Sequence, residues 1–149
     1  MVNGDQKAHE FWGNDYTEMG DDIMQLTAEE QLAIFKIIIQ ADQLATNRNA
    51  KEYAELFTTD GKISGIKGAV TGQANLISFT QTTWEQEPTH SQHLTVAPMI
   101  MDVTAGTVTA QSTLLIIDPE TKTIVDCQSI QHELQLQKGQ WRFYSRQVL

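Results

Sequence analysis

Ile124-Val125-Asp126-Cys127-Gln128-Ser129-Ile130-Gln131-His132-Glu133-Leu134-Gln135-Leu136 is the stretch on which the reading of this chain turns. It alternates as a β-strand does, with successive side chains on opposite faces. The even positions carry Ile124, Ile130, Leu134 and Leu136, which predicts that this face is buried. The same face carries Asp126, Gln128 and His132. A buried polar group is unfavourable without a partner, so the pattern predicts a lined cavity rather than a plain hydrocarbon core.

Upstream and downstream, the same alternation recurs. His90–Val103, Thr107–Asp118 and Gln140–Val148 read as further strands, separated by turn signals at Ala105-Gly106, Pro119-Glu120 and Lys138-Gly139. In Thr107–Asp118 the even positions Val108, Ala110, Ser112, Leu114 and Ile116 point inward. Short links between the strands favour antiparallel neighbours.

The front half is mostly helical. Thr27-Ala28-Glu29-Glu30 has the spacing of a capping box, with Thr27 as N-cap and Glu30 reaching back. A helix is predicted from there to about Thr46, burying Leu32, Phe35, Ile38, Ile39, Ala41 and Ala45. A shorter helix is predicted over Ala50–Phe57, then a turn at Asp60-Gly61 and short strands over Lys62–Ile66 and Ala69–Thr71. A third helix runs from Gln73 to Gln86, where Glu87-Pro88 ends it. The order predicts an α+β domain with its helices on one face of a curved sheet.

Composition bounds the possibilities. The net charge of −9 is concentrated in residues 1–30, which hold eight acids against Lys7 alone. No basic stripe is present for phosphates, which argues against nucleic-acid binding. No apolar run reaches membrane-span length, and no secretory leader pattern is seen. The single Cys127 cannot form an internal disulfide, so a cytoplasmic location is the default expectation. Residues 1–26 are expected to form an acidic arm ahead of a domain at 27–149. Its Phe11, Trp12 and Tyr16 leave open whether it docks on a partner subunit or frays.

Four segments, in this order and spacing, resemble the nuclear transport factor 2-like superfamily, and within it the SnoaL-like proteins of polyketide cyclase and scytalone dehydratase type. They are Tyr53-Ala54-Glu55-Leu56-Phe57-Thr58-Thr59-Asp60-Gly61, Gly68-Ala69-Val70-Thr71-Gly72, Thr89-His90-Ser91-Gln92-His93-Leu94 and Gly139-Gln140-Trp141-Arg142-Phe143-Tyr144-Ser145-Arg146. The resemblance implies a cone-shaped, curved mixed sheet packed on three helices, with a cavity at its open end. It also implies a homodimer formed through the sheet. The superfamily spans dehydratases, isomerases, cyclases and plain binding modules, so the residues must decide the function.

Carried over position by position, the resemblance leaves few catalytic groups. The steroid-isomerase Tyr and Asp would fall near Ala41 and Gly65, and both are missing. The scytalone-dehydratase His matches Gln92-His93-Leu94, but that group's second His would fall near Ser112 and its Tyr-Asp pair near Ala45 and Thr46. The acid that many SnoaL-like proteins place nine residues before the closing Trp is His132 here.

The candidate catalytic residues are therefore His93, His132 and Asp42. His93 is read as a general base, with a wall His as its alternative. His132 is read as a proton donor or orienting group, with a satisfied core His as its alternative. Asp42 is read as a carboxylate partner for an imidazole, with a solvated helix residue as its alternative. Tyr53, Phe79, Trp84, Met99, Ser112 and Gln128 are expected in the cavity wall, and their apolar share implies a hydrophobic small molecule. Asp126 lies roughly 20 Å from His132 along the strand at ~3.4 Å per residue, which puts it at the rim. No metal site or cofactor is implied. Acid–base lyase, isomerase or cyclase chemistry leads, a non-catalytic binding or dimerisation module is the alternative, and an interaction protein using its acidic arm is the third possibility.

Overall fold

A computed structural model describes residues 25–149. The expected arm at 1–26 lies almost wholly outside the described residues. Helix α1 (Ala28–Thr46) starts on the predicted capping box. Glu30 N–H donates to Thr27 Oγ1 at 3.1 Å, and Thr27 N–H donates to Glu30 Oε1 at 3.2 Å. Helices α2 (Ala50–Glu55) and α3 (Gln73–Glu85) follow, with strands β1 (Phe57–Gly65) and β2 (Gly68–Thr71) between them. The chain then runs as β3 (Gln92–Thr104), β4 (Thr107–Asp118), β5 (Thr123–Gln137) and β6 (Gln140–Val148). The six strands form one sheet in the order β2-β1-β6-β5-β4-β3, with β1 parallel to β6 and every other pair antiparallel. This is the α+β architecture that the sequence predicts, a mixed curved sheet with three helices.

Several boundaries and phases differ from expectation. Phe57 opens β1 rather than closing α2, and Asp60-Gly61 lies within that strand instead of turning it. Register slips there between Phe57 and Lys62. The slip crowds Gly61: a Cβ on it would stand 2.8 Å from the Phe57 Cβ and 3.0 Å from the Thr58 carbonyl oxygen. The buried stripe of α1 is also rotated. It reads Ile34, Ile37, Ile38, Ala41, Asp42, Leu44 and Ala45, while Leu32 and Ile39 are exposed. That rotation puts Asp42 into the core-facing stripe. In β5, Ile124 and Leu136 are exposed, so burial is confined to the middle of the predicted face.

Ile34, Ile38, Ala54 and Leu76 of the helical layer pack with Val108, Ala110, Leu134 and Phe143 of the sheet to make the main core. Farther along the same sheet face, Leu114, Ile116 and Ile130 form a separate cluster with Val148 against it. Bulges in β1, β3 and β6 bend the sheet. Its inner face is therefore filled at one end and hollow at the other. Among the described residues no helix is long and apolar enough to cross a membrane.

Candidate functional site

The hollow is a cavity of about 540 Å³. Leu114, Ile116, Ile130 and Val148 of the sheet and Phe79 and Trp84 of α3 supply apolar wall. Asp42, Tyr53, His93, Glu87, Arg146 and Gln128 supply the polar part of that wall. The exposed Val125 and Asp126 and the β1–β2 turn residues Ile66 and Lys67 mark its open end. Asp126 holds the Gln128 amide at 2.8 Å.

One polar cluster is centred on Arg146. Its Nη2 donates to Asp42 Oδ1 at 3.0 Å, its Nη1 to the Tyr53 hydroxyl oxygen at 2.8 Å, and its Nε to His132 Nδ1 at 3.3 Å. The Thr95 hydroxyl donates to the other Asp42 oxygen. Because His132 Nδ1 accepts from Arg146, the ring proton belongs on Nε2, which stands 2.7 Å from Ser112 Oγ. The network is buried: the Arg146 and Asp42 side chains are only 5% and 2% exposed. Burial, with the Arg146 charge added, pushes the His132 pKa down to about 2, so this imidazole is neutral at ordinary pH. Burial also raises the Tyr53 pKa, Arg146 opposing and Asp42 reinforcing the shift. For Arg146 burial works against the charge, but Tyr53 and Asp42 outweigh it and the group stays a cation.

A second cluster lies where α1, α3 and β3 meet. His93 Nε2 stands 2.8 Å from Glu87 Oε1. The same oxygen accepts from Ser91 Oγ at 2.8 Å, and Ser91 Oγ accepts from Arg48 Nη2 at 2.6 Å. Arg48 also reaches Glu87 at 3.5 Å and the Ala45 carbonyl at 2.9 Å. Burial alone would raise the Glu87 pKa; the bond and charge of His93, then Ser91 and Arg48, outweigh it and hold the carboxyl below its usual range. The His93 backbone N–H donates to Thr46 Oγ1 at 2.8 Å, which ties the start of β3 to the end of α1. Among the described residues no hydrogen-bond partner is found for His93 Nδ1, and no fully buried side-chain nitrogen or oxygen lacks one, so Nδ1 keeps access to open space. In the neutral form of the ring, donation from Nε2 to the carboxylate places the lone pair on Nδ1.

Placement of the expected residues is uneven. His93, Asp42, Tyr53, Phe79, Trp84 and Gln128 all line the cavity. His132 and Ser112 do not: they sit behind Arg146, bonded to each other. Asp42 pairs with Arg146 and with neither imidazole. Met99, expected in the wall, is 59% exposed and faces away from it. Ala97, with φ of 48°, sits in a bulge where β3 slips register against β4, and the slip reverses the strand's alternation. Before the slip Thr95 opposes the inward Leu114; after it Met99 opposes Gln111, between the inward Ala110 and Ser112.

Glu87, Thr95 and Arg146 were not among the expected site residues. For Arg146 the alternation misleads. Phe143 faces in, so strict period two would turn Arg146 out. The slip between β5 and β6 at Glu133 and Leu134 sets Arg146 opposite His132 instead. No group of three or more His, Cys, Asp or Glu side chains among the described residues is placed to hold a metal ion.

The sequence model of the SnoaL-like domain matches residues 27–147. No curated protein matches the chain significantly. Among solved structures, a protein of unknown function with a cystatin-like fold from Nostoc punctiforme is 19% identical, covers 84% of this chain and 93% of its own, and superposes with a TM-score of 0.78. An NTF2-like protein with a cystatin-like fold from Novosphingobium aromaticivorans is 16% identical over 99% of this chain and 90% of its own, with a TM-score of 0.69. ActVI-ORFA from Streptomyces coelicolor is 17% identical over 80% of this chain and 95% of its own, with a TM-score of 0.70. At these identities the likeness to the solved structures is one of fold.

Proposed function

The chain belongs to the SnoaL-like domain family, and on that premise we propose that it is a small-molecule pocket protein performing cofactor-independent acid–base chemistry on a hydrophobic, oxygenated substrate. One observation carries this reading. An imidazole whose Nε2 is committed to a carboxylate stands in the wall of an apolar cavity with its other nitrogen open. That is the arrangement of a general base held in one tautomer.

The chemistry follows from the parts. His93 Nδ1 takes a proton from the carbon beside a substrate carbonyl. The C–H electron pair becomes a C=C bond, and the carbonyl pair moves onto oxygen. Returning the proton to a different carbon completes an isomerisation. Passing it to a departing β-hydroxyl, which leaves as water, completes a dehydration. Attack of the same carbanion on a second carbonyl carbon closes a ring, and the imidazolium returns its proton to the alkoxide formed. Glu87 keeps the imidazole aimed throughout and balances its positive charge once protonated. Asp42 and His132 do not touch the reacting proton in this scheme; they hold Arg146 in place.

The test starts with a thermal-shift screen of oxygenated aromatic and alicyclic compounds, followed by turnover assays on the hits. His93→Gln should lower turnover by ~10²–10⁴-fold in a protein that keeps the wild-type circular dichroism spectrum. Undiminished turnover in that variant would remove His93 from the chemistry.

A second reading has its own support. Each Arg146 nitrogen already donates to a protein group, which favours a cation spent on shaping the wall rather than on chemistry. A non-catalytic binding module would then bind the screening hits without converting any of them. For assembly, we propose a homodimer through the outer sheet face, supported by Leu94, Val96, Met99 and Met101 of β3, all substantially exposed. Sedimentation of wild type against Met99→Glu checks it: a monomeric wild type rules it out.

A further inference from the structure

Among the described residues Ile66 is the most exposed large apolar side chain, at 99%, yet it lines the cavity at its open end. The opening has a simple origin in the sheet. β6 ends at Val148, one residue past the Ser129 level of β5, whereas β5 begins at Thr123. Among the described residues no strand lies beside the start of β5 on that side. On the other flank β1 runs parallel to β6 and also outlasts it. A Cβ on Gly65 would stand 3.3 Å from the Val148 Cβ, and Ile66 and Lys67 lie beyond that level. The unfilled strand position is a slot ~10 Å across, two strand spacings, between the β1–β2 turn and β5. Its lips are complementary. One carries Ile66 and Lys67; the other carries the exposed Ile124 and Val125 with Asp126. Among the described residues neither Lys67 nor Asp126 takes part in an ion pair.

We propose that the β1–β2 turn is a lid, which swings across the slot when an apolar ligand fills the hollow, laying Ile66 on the ligand and on Ile124 and Val125 and bringing Lys67 to Asp126. This rests on the reading of the hollow as a small-molecule pocket and adds how access to it is controlled. Three features support it. First, the turn is built to move: Gly65 and Gly68 bound it, and Gly68 holds a φ of 117°, a conformation that favours glycine. Second, the hairpin tip is lightly held, since Val70 alone of β2 is partly buried. Third, the driving force depends on the ligand. An occupant supplies an apolar surface, so Ile66 gains most of its burial in the closed and loaded form, and that difference is what lets binding shift the equilibrium. Fully burying an isoleucine side chain corresponds to a factor of ~10–100 in an equilibrium constant. A closed slot keeps water from a carbanion formed at His93 and leaves the abstracted proton to be returned. It also favours ligands compact enough to lie wholly inside the hollow.

The experiment uses the full chain and one probe, the neutral fluorescent ketone 6-propionyl-2-dimethylaminonaphthalene, followed by stopped-flow fluorescence. Ile66→Ser removes no contact from the open form, so its fold and its association rate should match wild type. Its release rate should rise about tenfold or more, because the closed form loses its apolar cover. Lys67→Glu should speed release roughly two- to fivefold, as expected for an exposed ion pair turned repulsive. Adding Asp126→Lys to Lys67→Glu should bring release back toward the wild-type rate. Release from Ile66→Ser at the wild-type rate would overturn the lid while leaving the pocket in place, and so would a double reversal as fast as Lys67→Glu alone. A wild type that does not bind the probe would overturn the pocket and the lid together. His93→Gln separates the lid from the catalytic reading. It should release the probe as wild type does while losing turnover; if turnover survives that change, the catalytic reading falls and the lid stands.

Discussion

Acidification should destabilise this protein through one residue, His132. In the fold its pKa is pushed down from 6.5 to about 2 by burial and by Arg146. The unfolded chain therefore takes up a proton below pH 6.5 that the folded chain refuses until the pH nears 2. The contribution of this group is complete above the unfolded value and is lost as pH falls below it. The slope approaches ~1.4 kcal/mol per pH unit. Between about pH 7.5 and about pH 5 the loss integrates to about 2 kcal/mol. For a chain of this size that is a drop of roughly 4–8 °C in melting temperature. Glu87 does not interfere in that window, because its carboxyl is held below its usual range and its contribution fails only at more acidic pH. Urea titrations of wild type and His132→Gln across this range supply the measurement. Any fixed effect of the substitution cancels in the difference between the two pH values. Wild type should lose about 2 kcal/mol more than the variant. Parallel pH profiles would show that the imidazole is already solvated or charged in the fold and would refute the buried, neutral assignment.

The remaining predictions concern neighbouring contacts. Asp42→Asn leaves Arg146 buried without its counter-charge and should cost about 3–5 kcal/mol in urea unfolding, whereas Asp42→Leu combined with Arg146→Met should recover a large part of that loss; a cost below ~1 kcal/mol would mean that the pair behaves like an exposed one. Ser112→Ala removes the acceptor of the His132 Nε2 proton and should cost ~1–3 kcal/mol, read as a lower urea midpoint at an unchanged slope. Gly61→Ala forces a Cβ onto the Phe57 Cβ and two carbonyl oxygens and should cost ~1–3 kcal/mol; thermal unfolding equal to wild type would show that β1 can shift. Thr27→Ala loses the N-cap bond to Glu30 and should cost about 1 kcal/mol, checked by the same melt.

Local pattern carried most of the fold. The even positions of β4 are buried from Val108 through Ile116 as the alternation predicts, and the Thr27 capping box starts α1 where the spacing placed it. Those features depend on neighbours a few residues away. The site depends on partners far apart in the chain: Thr95 meets Asp42 across 53 residues, and Arg146 meets Asp42 across 104. No spacing rule announces such pairs. Bulges add a second obstacle, because each reverses the inside–outside alternation beyond it. The slip near Ala97 turned Met99 out of the wall, and the slip opposite Glu133 turned Arg146 into it. Residues that alternation places on a sheet's outer face are thus poor exclusions wherever a strand bends. Glu87 is hidden in the sequence for a plainer reason. Followed by Pro88, it reads as a helix stop, and only the fold brings its carboxylate to His93.

The long interval between Asp42 and Arg146 has a consequence for biosynthesis. A ribosome delivers the carboxylate early and its guanidinium partner 104 residues later, on the final strand. Until β6 emerges, α1 cannot seat its inner stripe against the sheet without stranding a bare negative charge. Premature closure is thereby penalised, and β6, which inserts between β1 and β5, completes both the sheet and the ion pair in one event. Fusions or truncations that delay that strand should leave nascent chains open to proteases and holdases for longer, even where the finished protein is equally stable.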